Sequence, residues 1–151
     1  MTLVKPTIAD IKEMQELVSK EVQNGIILYR DDDEVANAIR SYVLARDGEH
    51  LIGFAALHIY SSHLAEIRSL IVHDNFRGKG VGSAIIAALE KEALGLGLKE
   101  LLALTYQQTF FEKAGFKEIE KSEIPEHKIW ADCIKCKYFP ICNEKSMIKT
   151  I

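Results

Sequence analysis

Cysteine is scarce in this chain, and its few copies are confined: three in 151 residues, all between Cys133 and Cys142. An odd count bunched in one segment is not the framework of a disulfide-stapled secreted domain. Thiols or metal ligands in a reducing, cytoplasmic setting are the expectation. Positive charge is not in excess either. The formal net charge is −3, which argues against nucleic acid as the main partner. No apolar run approaches the roughly 20 residues that span a bilayer, so no membrane partner is expected. The opening residues lack the apolar stretch behind a basic start that marks a secretory signal. Repeats, linkers and low-complexity segments are also missing. What is present is 48% apolar and 27% charged residues, a balance that packs a core. One domain over 1–151 is expected, with a cysteine-containing C-terminal segment over 124–151.

Hydrophobic periodicity divides the chain into short elements. Leu3 to Lys5 reads as a strand. Thr7 with Asp10 opens a helix whose buried face would carry Ile8, Ile11, Met14, Val18 and Val22, ending at Asn24-Gly25. Asp31 with Glu34 opens a second helix, with Val35, Ala38, Ile39 and Tyr42 as its stripe. Tyr42 to Arg46 and His50 to Tyr60 form a hairpin around Asp47-Gly48. Leu64 to Val72 is the third strand of that meander. Val81, Ile85, Ala88, Leu89 and Glu92 then keep a helical period up to Gly95 and Gly97. The apolar run Lys99 to Tyr106 suits a strand covered on both faces. Strand, helix and strand in that order predict a right-handed parallel crossover. The fold class is therefore mixed α/β: an antiparallel meander followed by one βαβ unit, with helices on both faces.

Between the third strand and the long helix lies Arg77-Gly78-Lys79-Gly80-Val81-Gly82, followed by Ser83. Glycines let the backbone approach an anion, and the free N–H groups of a helix start point at it. Arg77 and Lys79 add positive charge. The spacing is too short for a Walker loop. A dinucleotide fingerprint would need glycine at Ser83.

Arg77, Gly80 and Gly82 instead match R-x-x-G-x-G, the signature of the GNAT superfamily of N-acetyltransferases. The apolar Leu70-Ile71-Val72 before the turn, the strand Leu101 to Tyr106 after it, and Phe110-Phe111-Glu112-Lys113-Ala114-Gly115-Phe116 extend the resemblance over about Leu51 to Phe116. The resemblance implies acetyl-CoA as co-substrate, its pyrophosphate held by the turn from Arg77 to Ser83. It implies that Leu70, Ile71 and Val72 bind the pantetheine arm as an added strand, with a backbone N–H at or next to Leu70 facing the thioester oxygen. Phe111 holds the place where the superfamily often carries a tyrosine that protonates the leaving thiolate. Tyr106 or water would then serve instead, although Tyr106 also reads as an ordinary aromatic at a strand end.

Glu66 and Arg68 lie two apart on a strand that should be central, so they share a face. They can pair with each other, or face a wet cleft beside the thioester. The family resemblance implies Glu66 as the general base for the amine and Arg68 as a partner for a substrate carboxylate. Outside the core, Ile26 to Glu34, Ala65 to Leu70 and the tail from Ile124 resemble short amino-acid N-acetyltransferases related to N-acetylglutamate synthase. This second resemblance covers nearly the whole chain. It implies acetyl transfer to the α-amine of glutamate, the first step toward arginine, by a stand-alone acetyltransferase without a kinase-like domain. Arg30, and Lys145-Ser146 in the last strand, would bind the substrate. Glutamine or a protein amine are alternative acceptors, and a non-catalytic acetyl-CoA, redox or zinc-responsive module is the alternative outside enzymes. A homodimer could form through the meander edge or the C-terminal strand.

Cys133-x2-Cys136-x5-Cys142 offers a zinc half-site, and His127 would complete four ligands of a purely structural site. Packed thiols and a disulfide remain alternatives. His50, His58, His63 and His73 are scattered and read as surface or strand-packing residues.

Overall fold

The computed structural model describes residues 1–124 and 144–151. The zinc set expected at His127, Cys133, Cys136 and Cys142 lies outside the described residues. Among the described residues no group of three or more His, Cys, Asp or Glu is placed to hold a metal. No described helix is long and apolar enough to cross a membrane.

Among the described residues, seven strands form one sheet: β1 (Thr2–Val4), β2 (Tyr42–Asp47), β3 (His50–Ile59), β4 (Leu64–Val72), β5 (Glu100–Thr105), β6 (Lys117–Ile119) and β7 (Lys145–Thr150). Their spatial order is β1-β2-β3-β4-β5-β7-β6. All neighbours are antiparallel except β4 and β5. The expected meander and single crossover are therefore both present, and β4 is the middle strand. The last strand is not an edge: β7 runs between β5 and β6. The short strands β1 and β6 form the two sheet edges.

Among the described residues, two α-helices cover one face and two cover the other. α1 (Ile11–Gln23) and α2 (Asp32–Asn37) bury Ile11, Met14, Val18 and Val35 against Tyr42, Leu44, Leu51, Phe54, Ala56 and Ile71. α3 (Val81–Leu96) and α4 (Gln108–Lys113) bury Val81, Ile85, Ile86, Leu89 and Phe111 against Ala55, Leu57, Ala65, Ile67, Leu101, Ala103 and Met147. Both helix-start signals operate. The Thr7 N–H donates to Asp10 Oδ2 at 2.7 Å, and the Glu34 N–H donates to Asp31 Oδ1 at 2.9 Å. A turn of 3-10 helix, Ile8–Asp10, intervenes before α1 and rotates Ile8 off the apolar stripe, leaving it 59% exposed. Ala38, Ile39 and Tyr42 also lie beyond the end of α2. Ile39–Ser41 is 3-10 helix, and Tyr42 begins β2.

Two features of β4 shape everything that follows. It pairs with β5 only at Leu64↔Glu100, Ala65↔Leu101 and Glu66↔Leu102, and beyond Glu66 the two strands part. On its other side the register with β3 slips between Phe54↔Ile71 and Ala56↔Arg68. Ser69 takes φ of 56° there, the left-handed region seldom used by residues other than glycine. The slip is a β-bulge. It reverses the alternation of side chains: Ala65 and Ile67 face α3 before it, and Leu70 and Val72 pack on that same side after it.

Candidate active site

The C-terminal end of β4 feeds the glycine turn. Asp74–Phe76 makes a turn of 3-10 helix, Gly78 has φ of 76°, and Gly80 caps α3 with φ of 83°. A Cβ at either glycine would meet nothing within 4 Å, so the conformation rather than crowding calls for glycine there. Gly82 answers to space instead. A Cβ there would lie 3.1 Å from Cζ of Phe110, so its absence lets α4 close onto the first turn of α3. The N–H groups of Val81, Gly82 and Ser83 belong to that first turn and have no helical acceptor before them. They form the partial positive end of a 16-residue helix.

The two basic residues of the turn do different things. Lys79 places Nζ 5.5 Å from the ring centre of Phe76. Arg77 turns back, donating from Nε to the Val72 carbonyl at 3.2 Å. Its Nη2 lies 3.1 Å from Glu21 Oε1 and 3.2 Å from Asp74 Oδ1. Arg77 therefore ties the turn to the end of α1. Asp74 also meets Lys20 Nζ at 3.0 Å, and that hydrogen bond and charge hold its carboxyl below the ordinary value. A cleft of about 350 Å³ opens beside these pairs, lined by Glu13, Glu16, Glu21, Asp74, His50 and Lys20 among others. Its acidic lining is unfavourable to a pyrophosphate, and the α3 start remains the candidate anion site.

Before the bulge, Glu66 is the last residue that β4 shares with β5, and it is 2% exposed. It shares a face with Arg68, and the two pair: Arg68 Nε lies 2.8 Å from Glu66 Oε1. The Tyr60 hydroxyl donates to the same oxygen at 2.8 Å and accepts from Arg68 Nη2 at 3.0 Å. Burial, and next the Glu66 carboxylate, push the Tyr60 hydroxyl well above its ordinary pKa, so it stays a donor. Tyr42, in register with Ala56 and through it with Arg68, lies on this face. Burial raises its hydroxyl pKa, opposed by the charges of Arg30 and then Arg68.

Arg30 comes to the same side. Its side chain is 15% exposed, with Nη1 3.7 Å from Glu34 Oε2. Gln15 Nε2 donates to the Arg30 carbonyl at 2.7 Å and so pins the segment to α1. Arg30 lines a small cavity with Tyr42, Phe54 and Ser69 of the bulge. In β7, Ser146 pairs with Leu104 and so occupies the Glu66 face. Ser146 is 2% exposed, and its Oγ has no hydrogen-bond partner among the described residues.

Not every candidate converges. Strand alternation turns Lys145 to the opposite face from Ser146, where its Nζ lies 3.5 Å from Glu118 Oε2. Phe111 is 4% exposed, its ring between Phe110 and Phe116. Tyr106, just past β5, is 40% exposed. Sequence reading missed Tyr60 and the bulge at Ser69. Tyr60 carries no motif, and only its place six residues before Glu66, across a tight turn, could have pointed to it. A serine at positive φ leaves no sequence trace.

A strand that bulges, parts from its parallel neighbour and runs into a glycine-capped helix is the frame of an acyl-CoA-dependent acetyltransferase. The acetyltransferase (GNAT) family model matches residues 8–116, and the chain belongs to that family. It is 35% identical over 144 residues to an uncharacterized N-acetyltransferase of Chlorobaculum tepidum, covering 95% of this chain and 92% of that one. It is 31% identical over 130 residues to the amino-acid acetyltransferase of Pasteurella multocida, covering 84% of this chain but only 29% of that protein. Among solved structures, N-acetylglutamate synthase of Neisseria gonorrhoeae, complexed with coenzyme A and N-acetyl-glutamate, superposes with a TM-score of 0.88. That match is at 22% identity and covers 99% of this chain and 34% of the other. A Mycobacterium tuberculosis protein solved in complex with CoA gives 0.86 at 23% identity, covering 100% and 99% of the two chains. These two likenesses confirm the fold.

Proposed function

We propose that the protein transfers the acetyl group of acetyl-CoA to the α-amine of a free amino acid, glutamate foremost. One observation carries this reading. Glu66 stands where β4 leaves β5, and the same strand leads, past a bulge, to the anion-binding start of α3. One end of β4 can thus hold a base and the other a pyrophosphate, with the parted strands between them open to an extended arm. Proteins similar to this chain point the same way, since the Pasteurella relative is an amino-acid acetyltransferase.

The amine nitrogen attacks the thioester carbonyl carbon. Glu66 takes a proton from the amine, directly or through water. A backbone N–H at the bulge, at or next to Leu70, donates to the oxygen as it becomes negative. The C–S bond then breaks, and the departing thiolate takes a proton from water, or from Tyr106 at the exposed end of β5. Beyond Glu66, the β5-facing edge of β4 has no ladder partner among the described residues, so Leu70 to Val72 can hydrogen-bond the pantetheine arm. Arg30 meets a substrate carboxylate beside Ser69. Ser146 Oγ, buried on the same face, adds a neutral hydrogen bond.

The test is purified protein with acetyl-CoA and a panel of free amino acids, followed by thiol release. Release with glutamate, and a KM for glutamate raised about 10- to 100-fold in Arg30→Gln, is the expected result. Preference for a neutral amino acid would keep the mechanism and move the specificity. No release with any amino acid, despite binding of coenzyme A, would overturn the reading.

A further inference from the structure

Arg68 has the charge to bind a substrate carboxylate, yet its guanidinium is already engaged. Nε lies 2.8 Å from Glu66 Oε1, Nη2 donates to the Tyr60 oxygen at 3.0 Å, and its carbon lies 5.7 Å from the Tyr60 ring centre. The Tyr60 hydroxyl closes the ring of contacts by donating to that same Glu66 oxygen. Each group has one role, because an arginine only donates, a carboxylate only accepts, and a phenol does both. Tyr60 is itself held edge-on by the His58 ring at 4.8 Å, and His58 sits opposite Glu66 in the β3–β4 register. From the β5 side the register neighbour is apolar Leu102.

We propose that Tyr60 is a positioning residue: it locks Arg68 onto Glu66, so that Arg68 serves the base and not the substrate. The inference deepens the acyl-transfer reading and rests on it for its kinetics. Two hydrogen bonds converge on one oxygen of Glu66, which fixes the carboxylate in rotation. Arg30, beside the bulge, is then the cation that selects the substrate.

Tyr60→Phe removes one oxygen and preserves the ring. It is expected to lower kcat about tenfold and leave KM for acetyl-CoA unchanged. KM for the amino acid should also stay unchanged, because the lock acts on the base and not on the substrate. Arg68→Lys keeps the charge, loses the two-point grip and should lower kcat the same way. The loss must persist in a His58→Asn background, because that ring also packs against Tyr60. The double variant Tyr60→Phe with Arg68→Gln should be no slower than Arg68→Gln alone. Native kcat in Tyr60→Phe, with KM for the amino acid raised only by Arg68→Gln, would overturn the proposal.

A readout independent of turnover separates this proposal from the reading it rests on. In arginine side-chain NMR spectra the Arg68 Nε–H should exchange slowly in the native protein and at least tenfold faster in Tyr60→Phe. That result in a protein inactive on every amino acid would retain the lock and remove the proposed reaction. Unchanged exchange would remove the lock.

Discussion

The two ends of β4 are built from different materials. At its C-terminal end the candidate anion site is backbone: two glycines in the left-handed region and the first turn of α3. At its N-terminal end the candidate catalytic face is side chain. Glu66 and Arg68 come from β4, Tyr60 from beyond β3, Ser146 from β7, and Arg30 from the segment between α1 and α2. A backbone site depends on conformation and tolerates variation in the side chains around it. A side-chain site depends on register across several strands, and one misplaced ring or hydroxyl changes its electrostatics.

Three substitutions sharpen that contrast, from the largest effect down. Glu66→Gln keeps the shape of the side-chain site and removes its base. Turnover should fall roughly 100- to 10,000-fold while calorimetry shows coenzyme A binding unchanged. Turnover near the native rate would remove Glu66 as base, and loss of both properties would mean that the two ends are not separable. Gly80→Ala attacks the backbone site alone. A left-handed alanine costs about 1–2 kcal/mol, and open space around the new methyl leaves conformation as the cause. KM for acetyl-CoA should rise about tenfold, with KM for the amino acid unmoved. The smallest effect belongs to Lys20→Gln, which releases Asp74 near the turn. A carboxyl held below its ordinary value adds stability above that value, and the gain is lost as pH falls through the lowered one. Urea midpoints of the native and variant proteins should therefore differ slightly at neutral pH and converge in acid below pH about 4. A gap that widened in acid would reverse the assignment.

The same contrast explains what could be read from the sequence. The element order, the crossover and the turn from Arg77 to Ser83 were legible because periodicity and glycine spacing are local. So was the shared face of Glu66 and Arg68, which needs only the two-residue repeat of a strand. The partners were not legible. Tyr60 reaches Glu66 around a turn of irregular geometry, and Arg77 meets Glu21 at the far end of α1. Ile8 fits the helical period yet falls in a 3-10 turn, where three residues rather than 3.6 complete a revolution. Lys145 and Ser146 are adjacent in sequence, so a strand must turn them to opposite faces, and only the β5–β7 register says which face is which.

The positive φ of Ser69 divides β4 into two half-strands in opposite phase. Glu66 and Arg68 form one comb of side chains, and Leu70 and Val72 form another on the reverse side. The two faces can therefore be altered independently, because a change in either comb leaves the other facing as before. Straightening the slip with every residue kept would join the phases. It would carry Leu70 and Val72 to the face of the acid and the arginine, and so exchange the surfaces presented by the downstream strand without altering any of its side chains.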